Sequence, residues 1–458
     1  MTNFWDFNAW GFFNLVAILL VGLLLGNMLK RSIPALQASL IPTSVLGGGI
    51  LLLVSTLYKA ATGIEMFDTA FFSGQGTAWL EVLTYHTLAL GFIASALKTS
   101  DNKMTKERSI EIFNTGLTTV ATYLLQALVG MVICIFAARY LDDLLEAAGL
   151  LLALGYGQGT GQAMNYGSIY ELEYGFVGGK SFGLTIAAMG FLSASFGGVI
   201  HLNILRRKGK INLDKGRGVS NETVEEANEI PMQESIDKFT IQIALVILAY
   251  LFAYLMMMAL GNLLPGMRST IYGFNFILGV LAATVMKTVM NFLRKKNIIH
   301  RSYTNNFLLT RATNFFFDIM VTAGIAAIRM SIIGQYLALL LVMGVVGLGV
   351  TYAYVYFVCR KLFPNYTEQQ FLAMYGMLTG TASTGIILLR EIDGDFKTPV
   401  ADNLVYQNFP AMVFGFPILL LATMAPTKPY TTLAIVAVFL VAINILLLRS
   451  LIFRKKTK

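Results

Sequence analysis

Charged side chains are scarce in this chain. Asp, Glu, Lys and Arg make up 13% of its 458 residues, about half the share of an ordinary soluble domain. Hydrophobic residues reach 56% and mean hydropathy is +0.66, which excludes a soluble globular protein. Cysteine is nearly absent: Cys134 and Cys359 both fall in apolar runs, so no disulfide framework is expected. The three histidines are scattered, with His86 and His201 expected at interfaces and His300 in a basic loop, and they form no metal-ligand spacing. No Walker loop, HExxH or GxSxG occurs, which argues against an ATP-driven pump. No paired aspartates or Ser/His groups sit together in the apolar runs, so an enzyme is not expected. A basic signal-peptide start is also missing: MTNFWDFNAW reads as an interfacial stretch, with Trp5 and Trp10 at headgroup level.

What is present is a series of long apolar runs. The expected fold is an all-α polytopic membrane protein made of two inverted five-helix repeats, each with a re-entrant hairpin, plus one additional C-terminal helix. Spanning helices are expected near 10–29, 34–57, 84–98, 110–139 and 180–205, then 239–263, 270–292, 306–330, 333–360, 399–424 and 430–452. The segment 84–98 is short and could begin near Thr77. The first repeat covers 1–206 with a hairpin near 147–171, and the second covers 238–424 with a hairpin near 369–391. A polar stretch at 207–237 reads as a cytoplasmic linker, and 425–458 carries the extra helix. The net charge of +9 is gathered in short loops and at the C-terminus. With the N-terminus outside and the C-terminus inside, nearly every basic loop falls on the inner side. This is a membrane-orientation pattern rather than a nucleic-acid surface. The two halves then have opposite topology.

The hairpins rest on a segment that occurs twice. Leu151 to Glu171 reads LLALGYGQGTGQAMNYGSIYE, and Phe371 to Glu391 reads FLAMYGMLTGTASTGIILLRE. Each has two apolar arms about half the length a span needs, separated by a Gly-Thr core. Glycine lets a backbone reverse and lets a ligand approach it. A break at bilayer depth frees N–H groups, which bind anions, and carbonyls, which bind a hard cation such as Na⁺. The substrate-binding candidates are therefore Gly159, Thr160, Gly161 and Gln162 in the first core and Gly380, Thr381, Ala382, Ser383 and Thr384 in the second. One such motif alone reads equally well as a small-residue helix contact. Two in inverted context point to a transporter's binding site. Sequence echoes recur in the same order in both halves: LLLGNMLK with MALGNLLP, and LGFIASALKTS with VTAGIAAIRMS.

Asp318, Asn314, Gln407 and Asn408 are candidate Na⁺ ligands. Asp318 lies seven residues from Arg311, so the two share a helix face. Asp318 serves either cation coupling or a structural pair with a base. Arg311 is expected to snorkel. Asn314, and Gln407 with Asn408 beside Pro410, either ligate a cation or pack helices by hydrogen bonds. Ser181, Thr185 and Ser193 are weaker polar candidates in the equivalent helix of the first half.

The chain resembles the bacterial sodium:glutamate symporters over about residues 13–424. Their first hairpin carries a Gly-His-Gly-Thr core, where Gly157-Gln158-Gly159-Thr160-Gly161-Gln162-Ala163 stands here, with Glu171 downstream. Their second carries Gly-Ala-Thr-Pro-Thr-Ala, where Gly380-Thr381-Ala382-Ser383-Thr384-Gly385 stands. LGFIASALK at 90–98 is similar to the family's third helix. Gln158 replaces the histidine, Ser383 replaces the proline, and the last helix is additional. The resemblance implies a Na⁺-coupled symporter of glutamate or a related acidic amino acid in a bacterial inner membrane. It also implies an elevator mechanism and a homodimer; the many Phe, Met and Leu positions form no cofactor box, so no organic cofactor is expected. A Na⁺-coupled carrier of di- or tricarboxylates is the nearest alternative. A cation/proton antiporter or a channel is further off; a channel would need a continuous polar pore, against which the sparse intramembrane charge argues. The partners expected are a small anionic substrate and membrane lipid, with no nucleic acid.

Overall fold

A computed structural model of the chain describes residues 4–98, 105–209, 236–394 and 397–452. Among these, the chain is helical throughout and forms no strand. In order the α-helices are α1 (Phe7–Ser32), α2 (Pro34–Ala38), α3 (Thr43–Thr62), α4 (Gly76–Leu97), α5 (Lys106–Ala137), α6 (Leu151–Tyr174), α7 (Gly179–Arg207) and α8 (Lys238–Leu263). Then follow α9 (Arg268–Gly273), α10 (Asn275–Lys295), α11 (Asn306–Ala326), α12 (Met330–Ile333), α13 (Leu337–Leu362), α14 (Thr367–Thr379) and α15 (Ala382–Arg390). The last are α16 (Val400–Tyr406), α17 (Asn408–Met424), α18 (Pro429–Leu447) and α19 (Arg449–Ile452). Nine helices among the described residues are long and apolar enough to cross a membrane, or ten if α16 and α17, bent by 47°, make one span. The protein is a polytopic helical membrane protein.

The boundaries differ from the sequence reading where proline and glycine intervene. The run expected at 34–57 is divided: α2 ends before Leu40, which takes φ 56°, and α3 starts only after Pro42. α4 begins at Gly76, the earlier of the two expected starts. Of the eleven expected spans, only the one at 306–330 is not among the apolar ten. Arg311 and Asp318 interrupt it, and the helix there ends at Ala326. The expected linker at 207–237 lies, apart from its ends, outside the described residues.

The helices divide into two compact units, and these do not follow the sequence halves. The first unit is Met1–Leu80, Met104–Gly218 and Thr322–Lys458; the second is Glu81–Lys103 and Val219–Val321. In the first, α5 and α7 are mostly buried while α1, α3 and α18 expose most of their surface. That is the pattern of inner helices ringed by lipid-facing ones. Its core gathers Phe371, Leu372, Met374 and Leu378 of α14 against Val355, Cys359 and Phe363. In the second unit, Ile93, Ala94 and Leu97 pack with Val246, Ala249, Ala283, Leu309 and Ala312. Both cysteines are buried free thiols.

Candidate functional site: two interrupted helices meeting on α7

The first Gly-Thr core breaks α6. Gly159 takes φ 77° and ψ −170°, a region essentially reserved for glycine. Tracing the chain past α13 shows what the break does. Before α6, the Asp143 carbonyl accepts a hydrogen bond from the Tyr336 hydroxyl at 3.0 Å. After it, the Phe176 ring lies 5.7 Å from the same Tyr336 ring. Between these points Tyr156 reaches further along α13 and donates to the Gly344 carbonyl at 2.6 Å. The segment thus leaves the Tyr336 end of α13 and returns to it. Its second arm runs antiparallel to α7, with Gly183 against the Ala163 carbonyl and Gly167 against Gly179. The break exposes the Gly157 carbonyl, and the Tyr123 hydroxyl of α5 donates to it at 2.8 Å.

The second core makes a tighter hairpin. α14 ends at Thr379 and α15 begins at Ala382. A Cβ on Gly376 would sit 2.8 Å from the Gly385 Cα, and Gly385 faces the Ala373 carbonyl. Residues twelve apart in a straight helix would be about 18 Å apart, so the arms fold back on each other. Thr381 caps the second arm. Its backbone is extended, its Oγ1 accepts from the Thr384 N–H at 3.4 Å, and its carbonyl accepts from the Gly385 N–H at 3.0 Å. Thr384 is buried, Thr381 and Ser383 are half-buried, and Ala382 is exposed.

The two motifs reach α7 from its opposite ends. The first packs on the N-terminal end at Gly179. The second starts at the C-terminal end, where Glu368 Oε2 lies 2.8 Å from His201 Nε2. They meet at mid-helix. A Cβ on Gly190 would meet both the Thr379 carbonyl and the Tyr156 ring. One turn on, Ser193 joins both: its Oγ is 2.8 Å from the Tyr156 hydroxyl, and its carbonyl accepts from the Tyr375 hydroxyl at 3.0 Å.

Two buried amides near this junction lack full partners. Gln162 is 1% exposed, and its Nε2 has no hydrogen-bond partner among the described residues; its Oε1 accepts from Asn165 Nδ2 at 3.3 Å. Gln126 of α5 is 1% exposed and donates to the Leu378 carbonyl and Thr351 Oγ1, both at 2.9 Å, while its Oε1 is unpartnered. An unmade buried hydrogen bond costs about 1–3 kcal/mol, so such atoms mark places where a ligand can bond. Thr160 is fully buried, with Gly324 packed on its side chain.

The four candidate cation ligands divide between the units. In the first, Gln407 stands at the bend between α16 and α17. It accepts from Thr119 Oγ1 at 2.9 Å and donates to Asn408 Oδ1 at 3.1 Å and Met377 Sδ at 3.4 Å. In the second, Asn314 and Asp318 share an exposed stripe of α11 with Arg311, whose guanidinium lies 4.9 Å from the Phe307 ring centre. Asp318 has interactions of its own within the chain.

Other expectations resolve locally. His201, near the C-terminal end of α7, is buried within the protein, held by the Tyr352 hydroxyl at 2.7 Å and by Glu368, with Phe371 and Tyr356 packed on its ring. Ser181 accepts the Arg329 N–H and Thr185 donates back to the Ser181 carbonyl, so both satisfy backbone. Glu171 accepts the Lys180 N–H in the first turn of α7 at 3.2 Å, a helix-terminus role. Burial pushes the Glu391 carboxyl up from its ordinary value, with the Lys30 ammonium opposing.

Sequence reasoning missed Tyr156, Tyr375, Tyr123, Thr119 and Gln126. One signal was present: Asn114, Thr115, Thr118, Thr119, Thr122 and Gln126 recur at helical spacing within the apolar α5 and are all buried. No family model matches the chain, and no curated protein matches it.

Proposed function

We propose that the chain is a Na⁺-coupled secondary transporter of a small acidic solute, glutamate or a close relative. It works as a homodimer in a bacterial inner membrane, by an elevator motion of a domain that carries the two hairpins. The observation that carries this reading is the meeting of two interrupted helices at Gly190, reached from opposite ends of α7. If α7 spans the bilayer, these are re-entrant hairpins from opposite faces with their tips near the midplane, the arrangement inverted repeats produce. The second arms then aim N–H ends at the junction, where Thr160, Gly161 and Gln162 add donors from one side and Thr381, Ala382, Ser383 and Thr384 from the other. Gln126 Oε1 and the carbonyl ends of the first arms supply oxygens for a hard cation.

A solute with two carboxylates satisfies both donor sets, whereas a neutral or basic amino acid leaves one unpaired. The protein reconstituted in liposomes should therefore take up labelled glutamate saturably under an inward Na⁺ gradient, and replacing Na⁺ with K⁺ should abolish uptake. Unlabelled aspartate, dicarboxylates and tricarboxylates, added as competitors, rank the acidic solutes. Na⁺-independent flux linear in solute would indicate a channel. Na⁺-dependent binding of leucine or lysine, with no response to any carboxylate, would overturn the reading of the tips.

A further inference from the structure

The second unit contains a cavity that the transport reading does not use. It lies at the C-terminal end of α10 and is lined by Lys287, Asn291 and Arg294 of that helix and by Arg301, Ser302 and Thr304 of the following loop, among others. Three of these carry positive charge and none carries negative charge. Between Asp237 and Asp318 there is no acidic residue, while Lys238, Arg268, Lys287, Arg294, Lys295, Lys296, Arg301 and Arg311 all fall there. Among the described residues, the Arg294 and Arg301 side chains have neither an ion-pair nor a hydrogen-bond partner. Lys287 is half-committed: its ammonium donates to the Ala96 and Lys98 carbonyls at 2.9 and 3.0 Å, closing the end of α4.

The frame holding these cations is fixed. Asn297 turns the chain with φ 58°, and the Ile298 N–H returns to the Leu293 carbonyl at 3.0 Å. The loop is clamped by Gln242 of α8, fully buried, which donates to the Tyr303 carbonyl at 2.8 Å and accepts the Asn305 N–H at 3.0 Å. Arg294 and Arg301 therefore face the cavity from two anchored segments. The cavity itself is about 20 Å³, near the volume of one ordered water. It admits the leading oxygens of an oxyanion while the rest of the ligand stays outside, and it excludes an acyl chain or a nucleotide base. Basic cavities between membrane helices bind lipid phosphates in this way, as a guanidinium matches a phosphate bidentately.

We propose that the Lys287–Arg294–Arg301 cavity binds the phosphate of an anionic membrane lipid. This is independent of what the hairpins carry. Thermal unfolding of the full chain in detergent tests it, with micelles doped with phosphatidylglycerol or phosphatidylcholine and, separately, with inorganic phosphate. Phosphatidylglycerol should raise the midpoint by several degrees in a saturable way, and phosphatidylcholine should not. The variant Arg294→Gln/Arg301→Gln should lose most of that shift. Lys295→Gln/Lys296→Gln removes the same charge from exposed residues that do not line the cavity, and should keep it. Equal shifts from the two lipids, or equal losses in the two variants, would overturn the site. The full shift from millimolar inorganic phosphate alone would overturn its lipid source.

Discussion

At the scale of single residues, Gly159 decides most. Its φ of 77° and ψ of −170° cost a residue with a Cβ about 1–3 kcal/mol. Gly159→Ala should therefore lower the unfolding midpoint by a few degrees yet leave a monodisperse protein, and reduce glutamate uptake at least tenfold by re-aiming the N–H groups of Thr160 and Gly161. Uptake at the unmodified rate from a stable variant would make the break a packing feature only. This residue was legible in the sequence because glycine is the residue such a backbone requires. The polar residues that serve the breaks were not legible. Tyr123 is needed only because the break frees the Gly157 carbonyl, and Gln126 only because α14 ends at the Leu378 and Thr379 carbonyls. Nothing in the text of α5 says which carbonyls will be free. The spacing of its threonines and glutamine nevertheless marks a polar face inside an apolar helix, a signal that could have been used.

At the scale of elements, the two short arms per motif could be read from length alone, but their common platform could not. α7 holds both motifs because it presents glycine or serine where a backbone or a large side chain must come close: Gly179 and Gly183 to the second arm of α6, Gly190 and Ser193 to Tyr156 and the end of α14, Gly197 and Gly198 to the Tyr375 and Leu388 side chains. Sequence shows these small residues and cannot say which partner each admits. Gly190 is the critical one, since a Cβ there would collide with the Thr379 carbonyl oxygen and crowd the Tyr156 ring at 3.2 Å. Overpacking of this kind costs about 1–3 kcal/mol. Gly190→Ala should thus separate the tips and impair uptake far more than Gly49→Ala, where no atom lies within 4 Å of the added methyl. Equal activity in the two variants, measured in liposomes at matched protein content, would mean that contact between the motifs is not needed for transport.

At the scale of the whole molecule, hydropathy identified the apolar spans well and the compact units not at all. Spans are visible because each must bury its own backbone in lipid and advertises this by composition. The units are not, because each is assembled from segments far apart in sequence, such as Glu81–Lys103 with Val219–Val321, and no local pattern encodes that choice. Orientation is the property on which the inverted-hairpin reading depends most directly. The segment from Asp143 to Phe176 leaves and returns to the Tyr336 end of α13, whereas α7 continues for 29 residues to Arg207, about 43 Å at 1.5 Å per residue. Asp142 and Lys208, both exposed, should therefore lie on opposite sides of the membrane, Asp142 outside and the basic Lys208 inside. The native Cys134 and Cys359 are buried, so they contribute little background to thiol labelling. With single cysteines at 142 and 208, a membrane-impermeant maleimide added to intact cells should label 142 at once and 208 only after the membrane is opened. If both label from outside, the chain crosses the bilayer an even number of times between them. The first motif would then be a span rather than a hairpin, and the two N–H ends could not converge from opposite faces.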